Sequence, residues 1–549
     1  MKRLAIIAGL IVGPFSMIYA QQDTTLARTV VVENEYNPTI MDASKVNVLP
    51  KIVEPVVTKK KVDYATSLLP VSGWNYEAMP AVIRTGMSEK AKRGYVHAGY
   101  GNRGNVDAGL GYLWDMTKKD RLAFDASFKG WNGDFNGLGD SEDWTSRFYH
   151  TDIDLGYLHR FKKMDFSMGA SADAKVFNYM PVPGGLNAYR QNMLQIGGWV
   201  GLASSDKELP LQWDVQTGVS ALNLKHGMVN EDGGPKQTKV HTLANFWGNL
   251  SESQQIGVKV EMDNLFFSDV VDSKGDQAFD NYTSVAANPY YTFKNDKWRV
   301  RLGAHVDYVG GKNDGVDFAP DVKLETVFSD SYVFYVHGTG GRELNDFEQM
   351  MQRTPYWDFR ESVTSTYVPL DASLGLKGSP ANGFWFNLYG GYKINKDYLL
   401  LNNYIYNGYV QSVQTDLDAF YVGADLKYDY KDILALSLSG KYYSWDEKEE
   451  WLGGEGSSFL AILPEFAINF NADVKIIDPL KLNFGYEYVK RHEGELDPVS
   501  NLKVGATYEI LKDLSVFGRV ENLLNKKYLL DTCYPTQKLN FLAGIAYRF

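Results

Sequence analysis

The stretch LNFLAGIAYRF, residues 539–549, decides the fold. Every second residue is apolar or aromatic: Leu539, Phe541, Ala543, Ile545, Tyr547 and Phe549. The interleaved set, Asn540, Leu542, Gly544, Ala546 and Arg548, is smaller and more polar. A period of two is that of a strand whose side chains alternate between two faces. The ends of soluble domains tend to fray. This chain instead runs to its last residue inside a sheet pattern.

Working outward, the same period recurs from about residue 93 onward. Leu122, Phe124, Ala126 and Phe128 alternate with Ala123, Asp125, Ser127 and Lys129. Trp298, Val300, Leu302, Ala304 and Val306 alternate with Arg299, Arg301, Gly303, His305 and Asp307. Phe466, Ile468, Phe470, Ala472 and Val474 alternate with Ala467, Asn469, Asn471 and Asp473. Short polar turns such as TKKD (117–120), KNDK (294–297) and ILKD (510–513) separate longer loops such as 131–146 and 225–238. Short turns at one end and long loops at the other are characteristic of transmembrane barrels of antiparallel strands. We expect an all-β, up-and-down transmembrane barrel over 93–549 with about 22 strands, an even number that leaves both barrel ends on the short-turn, periplasmic side. A soluble sandwich would have to bury these apolar faces against each other over a far longer chain than such folds use.

Composition agrees. Cys533 is the only cysteine, so no disulfide can form within the chain. In hydrocarbon a closed sheet pairs all its backbone groups internally. No segment offers the roughly 18 or more apolar residues of a spanning helix. Tyr (36), Phe (28) and Trp (12) are abundant, as aromatic girdles require. The net charge of −11 argues against nucleic acid as a partner, because phosphate binding wants a basic surface.

The start reads as a secretory signal over 1–20: Lys2 and Arg3, an apolar run from Leu4 to Val12, and small Ala20 before QQDTT. Export with a barrel points to the outer membrane. The expected contacts are its lipid and, during insertion, the barrel assembly machinery. Terminal Tyr547 and Phe549 resemble the signal by which that machinery recognises its clients.

VENLLNKKYLLDTCYPTQKLNFLAGIAYRF (520–549) resembles the end of TonB-dependent outer-membrane receptors. Asn522, Leu523, Asn525, Lys526, Tyr528, Tyr534, Pro535, Phe541, Gly544, Tyr547 and Phe549 carry the resemblance; Thr536, Gln537 and Lys538 replace the usual Gly-Arg after the proline. The segment GGRELNDFEQMMQRTPYW (340–357) is similar to an arginine-containing loop of such receptors, or is an ordinary long extracellular loop with a helical turn. Asn345 with Glu348 would cap that turn, Phe347, Met350 and Met351 share one helical face, and Pro355 ends it.

The resemblance implies transport of a solute or peptide across the outer membrane. It also implies a folded plug ahead of the barrel, but only about 72 residues, 21–92, stand there as an N-terminal periplasmic segment. Too little chain for a full plug raises an alternative: a structural, complex-forming barrel whose N-terminal segment docks to a partner protein. A wide barrel is normally filled. The filling would be this segment, inward-folded loops or a partner. RTVVVENE (28–35) looks like a TonB box, with Thr29, Val30, Val31 and Val32 as the strand-adding residues, or is a plain extended linker.

No catalytic motif, no cofactor fingerprint and no metal-ligand spacing among the eight histidines stands out, so we expect no enzyme activity, cofactor or metal. Trp131, Trp144, Trp357, Trp445 and Trp451 in the long loops are expected to anchor at lipid headgroups or to bind a ligand.

Overall fold

A computed structural model describes residues 92–549 apart from 136–143, 182–189, 207, 228–232, 273, 312–314, 330, 407, 448–459, 493–495 and 530–533. The secretory signal at 1–20, the 21–92 segment up to its last residue, Thr29–Val32 and Trp451 lie outside the described residues.

The period-two segments become 22 strands. The first six are β1 (Gly94–Gly101), β2 (Val106–Asp115), β3 (Asp120–Phe135), β4 (Trp144–Arg160), β5 (Met164–Asn178) and β6 (Arg190–Ser204). There follow β7 (Gln212–Leu224), β8 (Lys236–Asn249), β9 (Gln254–Ser268), β10 (Tyr282–Lys294), β11 (Trp298–Gly310) and β12 (Gly315–Ser329). Next come β13 (Tyr332–Glu343), β14 (Thr366–Ala381), β15 (Phe384–Tyr406), β16 (Tyr409–Tyr430) and β17 (Leu434–Glu447). The last five are β18 (Pro464–Ile477), β19 (Leu480–Arg491), β20 (Val499–Leu511), β21 (Leu514–Glu521) and β22 (Asn540–Arg548).

Each strand pairs antiparallel with its chain neighbours, and β22 pairs with β1, Arg548 opposite Tyr95 and Ala546 opposite His97. The ring is therefore closed and has no free edge. Closure extends to the last residue: Phe549 N–H donates to Gly94 C=O at 3.0 Å, and Gly94 N–H donates back to Phe549 C=O at 2.9 Å. All the short polar turns predicted from the sequence fall at the end of the barrel that carries both β1's start and β22's finish.

Alternation sets two unlike walls. Phe318, Ile545 and Leu374 stand 57–68% exposed on the outside, where lipid takes the place of water. On the inside, Arg301 pairs with Asp321 at 2.6 Å and bonds Asn288 at 2.8 Å, and Arg519 pairs with Asp107 at 2.6 Å. Along β13–β17 the lumen wall is tiled with tyrosines, and Tyr335, Tyr389 and Tyr421 each lie over a glycine of the adjoining strand. A Cβ on Gly375 would sit 2.5 Å from the Tyr335 ring, and one on Gly423 would sit 2.4 Å from Tyr389. Glycine here is a steric requirement, since the ring needs the backbone itself as its floor.

Candidate functional site: a lid inside the long-loop mouth

The filling of the barrel, where described, is made by its own loops. The connection between β13 and β14 folds inward and carries a short helix, α1 (Phe347–Arg353). Its cap is Asp346, one residue later than the sequence pattern suggests; the carboxylate accepts from Gln349 N–H at 2.9 Å. Asn345 instead donates to Thr364 C=O at 2.7 Å and ties together the two arms of the loop. Phe347, Met350 and Met351 are buried on one face, as their spacing predicts.

This loop is held at several points of the wall. Lys239 on β8 reaches Asp346 at 2.8 Å and Glu348 at 2.5 Å. Gln237 accepts from Phe347 N–H at 2.7 Å. Lys175 on β5 donates to Met351 C=O at 3.4 Å, and Arg353 to Leu399 C=O on β15 at 3.2 Å. Residues 356–358 then run alongside the start of β16: Val410 N–H donates to Tyr356 C=O at 2.7 Å, and Asp358 N–H to Val410 C=O at 3.0 Å.

Around this loop lies one apolar cluster. It takes Phe135 and Trp144 from the tips of β3 and β4, Phe177 and Tyr179 from β5 and its exit, and Phe267 and Phe279 from around β9. Leu399 and Tyr409 join from the opposite wall, and Tyr534 from the last loop. Tyr356 and Tyr534 stack face to face, centroids 3.5 Å apart and planes 6° from parallel. The Tyr534 hydroxyl donates to Gly408 C=O and accepts from Met180 N–H at 3.2 Å. Burial pushes both phenols well above the ordinary tyrosine range. The cluster thus joins loops from opposite sides of the ring into a lid across the mouth.

Trp357 is fully buried in the lid, its indole N–H on Met350 C=O, and Trp144 is 4% exposed against Tyr534 and Tyr356. Neither anchors at lipid headgroups, contrary to expectation; a helical turn needs an apolar floor, and these rings supply it. Trp445 packs inside too, its N–H on Pro464 C=O at 2.9 Å, and Trp131 stacks on Phe148.

Beneath the lid a cavity of about 3330 Å³ extends to the short-turn end. Glu348, Gln352 and Arg353 form its roof, while Lys92, Asp432 and Asp513 lie at its lower rim. Its wall is mixed in charge and rich in tyrosine. Lys441 sits among three rings, 4.2 Å from Tyr421, 4.6 Å from Tyr443 and 6.0 Å from Tyr389. Of the predicted site residues, Tyr547 and Phe549 lie on the outer face of β22, stacked on each other, with Phe549 also on Tyr112. Their surroundings are those of a closing strand at the lipid boundary.

Compared with solved structures, the chain is similar over its barrel to the ferric enterobactin receptor PfeA from Pseudomonas aeruginosa: TM-score 0.62, 11% identity, 83% of this chain on 80% of that one. It is likewise similar to the FrpB iron transporter from Neisseria meningitidis: TM-score 0.63, 12% identity, 84% on 82%. The barrel has the fold of the TonB-dependent receptors. The siderophore receptor PirA from Acinetobacter baumannii matches this receptor fold equally, with TM-score 0.62 and 12% identity over 83% of this chain and 80% of that one. No family model matches the sequence, and no curated protein does.

The receptor-like barrel brings together residues that sequence spacing kept apart. Lys175 and Lys239 were two among many lumen positions; their role depends on where the lid docks. The signal for the lid itself was present, in the apolar helical face of 347–351 followed by Tyr356 and Trp357.

Proposed function

We propose that this chain is a gated outer-membrane importer that admits a solute or peptide too large for ordinary porins. The observation that carries the reading is the lid: it spans the long-loop mouth from within, over a wide chamber that, among the described residues, extends to the short-turn end. A lidded mouth above a wide chamber suits one-way admission on demand. The cargo engages the outer loops, the Tyr356–Tyr534 stack parts, and the cargo passes into the chamber. The receptor likeness supports an energy input from TonB, and Thr29–Val32 in the 28–35 segment would add a strand to that partner. Tyr547 and Phe549 would serve as the recognition signal for insertion.

Planar-bilayer recording tests the gate. Wild type should conduct little, and a variant lacking residues 347–358 should conduct steadily. A wild type as conductive as the deletion sinks the gate, and a deletion that stays closed sinks the lid as its seat. For the TonB step, removing residues 28–35 should abolish capture of the periplasmic TonB domain while leaving the closed state unchanged; undiminished capture would move the contact elsewhere.

A further inference from the structure

Two groups on the lumen wall hold the same residue types, and both lie next to a lysine that holds the lid. On β4 and β5, His150 Nε2 lies 2.8 Å from Asp173 Oδ2, and Asp152 stands directly opposite Asp173 in the strand register. Lys175, two residues beyond Asp173, reaches up to the lid carbonyl of Met351. On β8 and β9, His241 Nδ1 lies 2.8 Å from Asp263 Oδ1, its cross-strand partner, and Glu261 is two residues along. Lys239, two residues before His241, is held by Asp346 and Glu348 of the lid.

In each group one donor atom from the histidine and from both carboxylates lies within 4.8 Å of the others. Among the described residues these are the two groups with that property. Neighbouring lysines meet these carboxylates only in part. Lys175 stays 4.0 Å from Asp173 Oδ1, an oxygen shielded from solvent with no hydrogen-bond partner. Asp154 brings a third carboxylate within hydrogen-bonding reach of Asp152. Opposed carboxylates repel unless a cation or a shared proton lies between them. In the second group Lys239 is spent on the lid, and Lys259 meets Glu261 at 3.0 Å through side chains 44% and 39% exposed, where water weakens the pair.

We propose that His150–Asp152–Asp173 and His241–Glu261–Asp263 are a matched pair of divalent-cation sites beneath the lid. One imidazole nitrogen with two carboxylate oxygens suits zinc and its first-row neighbours, with water completing the shell. The recurrence of one histidine, two carboxylates and a lid-holding lysine at two separate hairpins argues for a designed constellation over chance.

The test is a Zn²⁺ titration by calorimetry on the untagged, chelator-treated full chain in detergent, with no transport measurement involved. Wild type should bind two equivalents; His150→Ala and His241→Ala should each remove one, and the double variant both. Asp173→Asn and Glu261→Gln, which keep side-chain shape, should repeat the respective losses, and the heat-dependent gel shift of a folded barrel should persist in all. A site whose substitutions leave the stoichiometry unchanged is overturned. Failure of wild type to bind Zn²⁺ overturns both.

Discussion

Tyr534 ties three parts of the lid together. It stacks on Tyr356, bonds the exit of β5 through Met180 and bonds the entry of β16 through Gly408. Tyr534→Phe keeps the stack but leaves a buried N–H and a buried C=O short of a partner. The cost should be about 1–3 kcal/mol of lid stability, visible as faster trypsin cleavage after Arg353 or Arg360. The same burial gives a pH dependence. Tyr356 holds its proton well above the ordinary value of 10.0, so the unfolded chain loses that proton first. Lid stability should therefore be flat below about pH 10 and fall as pH rises beyond it. An ultraviolet difference titration of wild type against Tyr356→Phe should give a midpoint well above 10; a midpoint at 10 would mean an exposed ring. At this scale the sequence was partly legible. Tyr534 stood in the receptor-like C-terminal motif, but nothing in its spacing tied it to Tyr356, because that contact depends on two loops folding inward. The histidine groups were invisible for the same reason: cross-strand register, not chain spacing, assembles them.

Among the elements, α1 is too short to persist by its own propensity and depends on its docking. Lys239 is the anchor: it neutralises both Asp346, which is fully buried, and Glu348. Lys239→Ala strands a buried carboxylate and should cost about 3–5 kcal/mol. Hydrogen exchange of the 347–353 amides should rise accordingly; unchanged protection would place the anchor elsewhere. The sequence marked this helix by its apolar face and missed its cap by one residue, since Asn345 and Asp346 are equally good caps until Lys239 selects the carboxylate. Strands were far easier to read. Their alternation reports which side faces lipid, and that constraint acts at every position of β3, β11 or β18, whereas the loops answer only to one another.

For the whole molecule, the bilayer is the solvent and the test is one of faces. Leu374 points outward from the middle of β14, and Asn469 points into the chamber from β18. Leu374→Arg should lower folding stability in lipid by about 2–4 kcal/mol, while Asn469→Arg should be tolerated. Urea titration in vesicles compares them directly, and equal losses would reject the assignment of faces. The closing pair of β1 and β22 was legible because the terminal alternation leaves that strand an edge to satisfy. What the lid adds could not be read locally, since it joins parts of the wall that are farthest apart.

That last property has a mechanical side. β5 and β16 are eleven places apart in a ring of 22, so they lie on opposite sides. Tyr179 at the exit of β5 nevertheless meets Tyr409 at the entry of β16, ring centroids 4.7 Å apart. The lid is thus a tie-beam across a wide hoop. Such a beam would resist widening of the rim along that diameter when the membrane is under lateral tension. Releasing the beam would let the rim widen along that diameter, so the loops at its two ends would report an opening at Tyr356 even where they do not touch it.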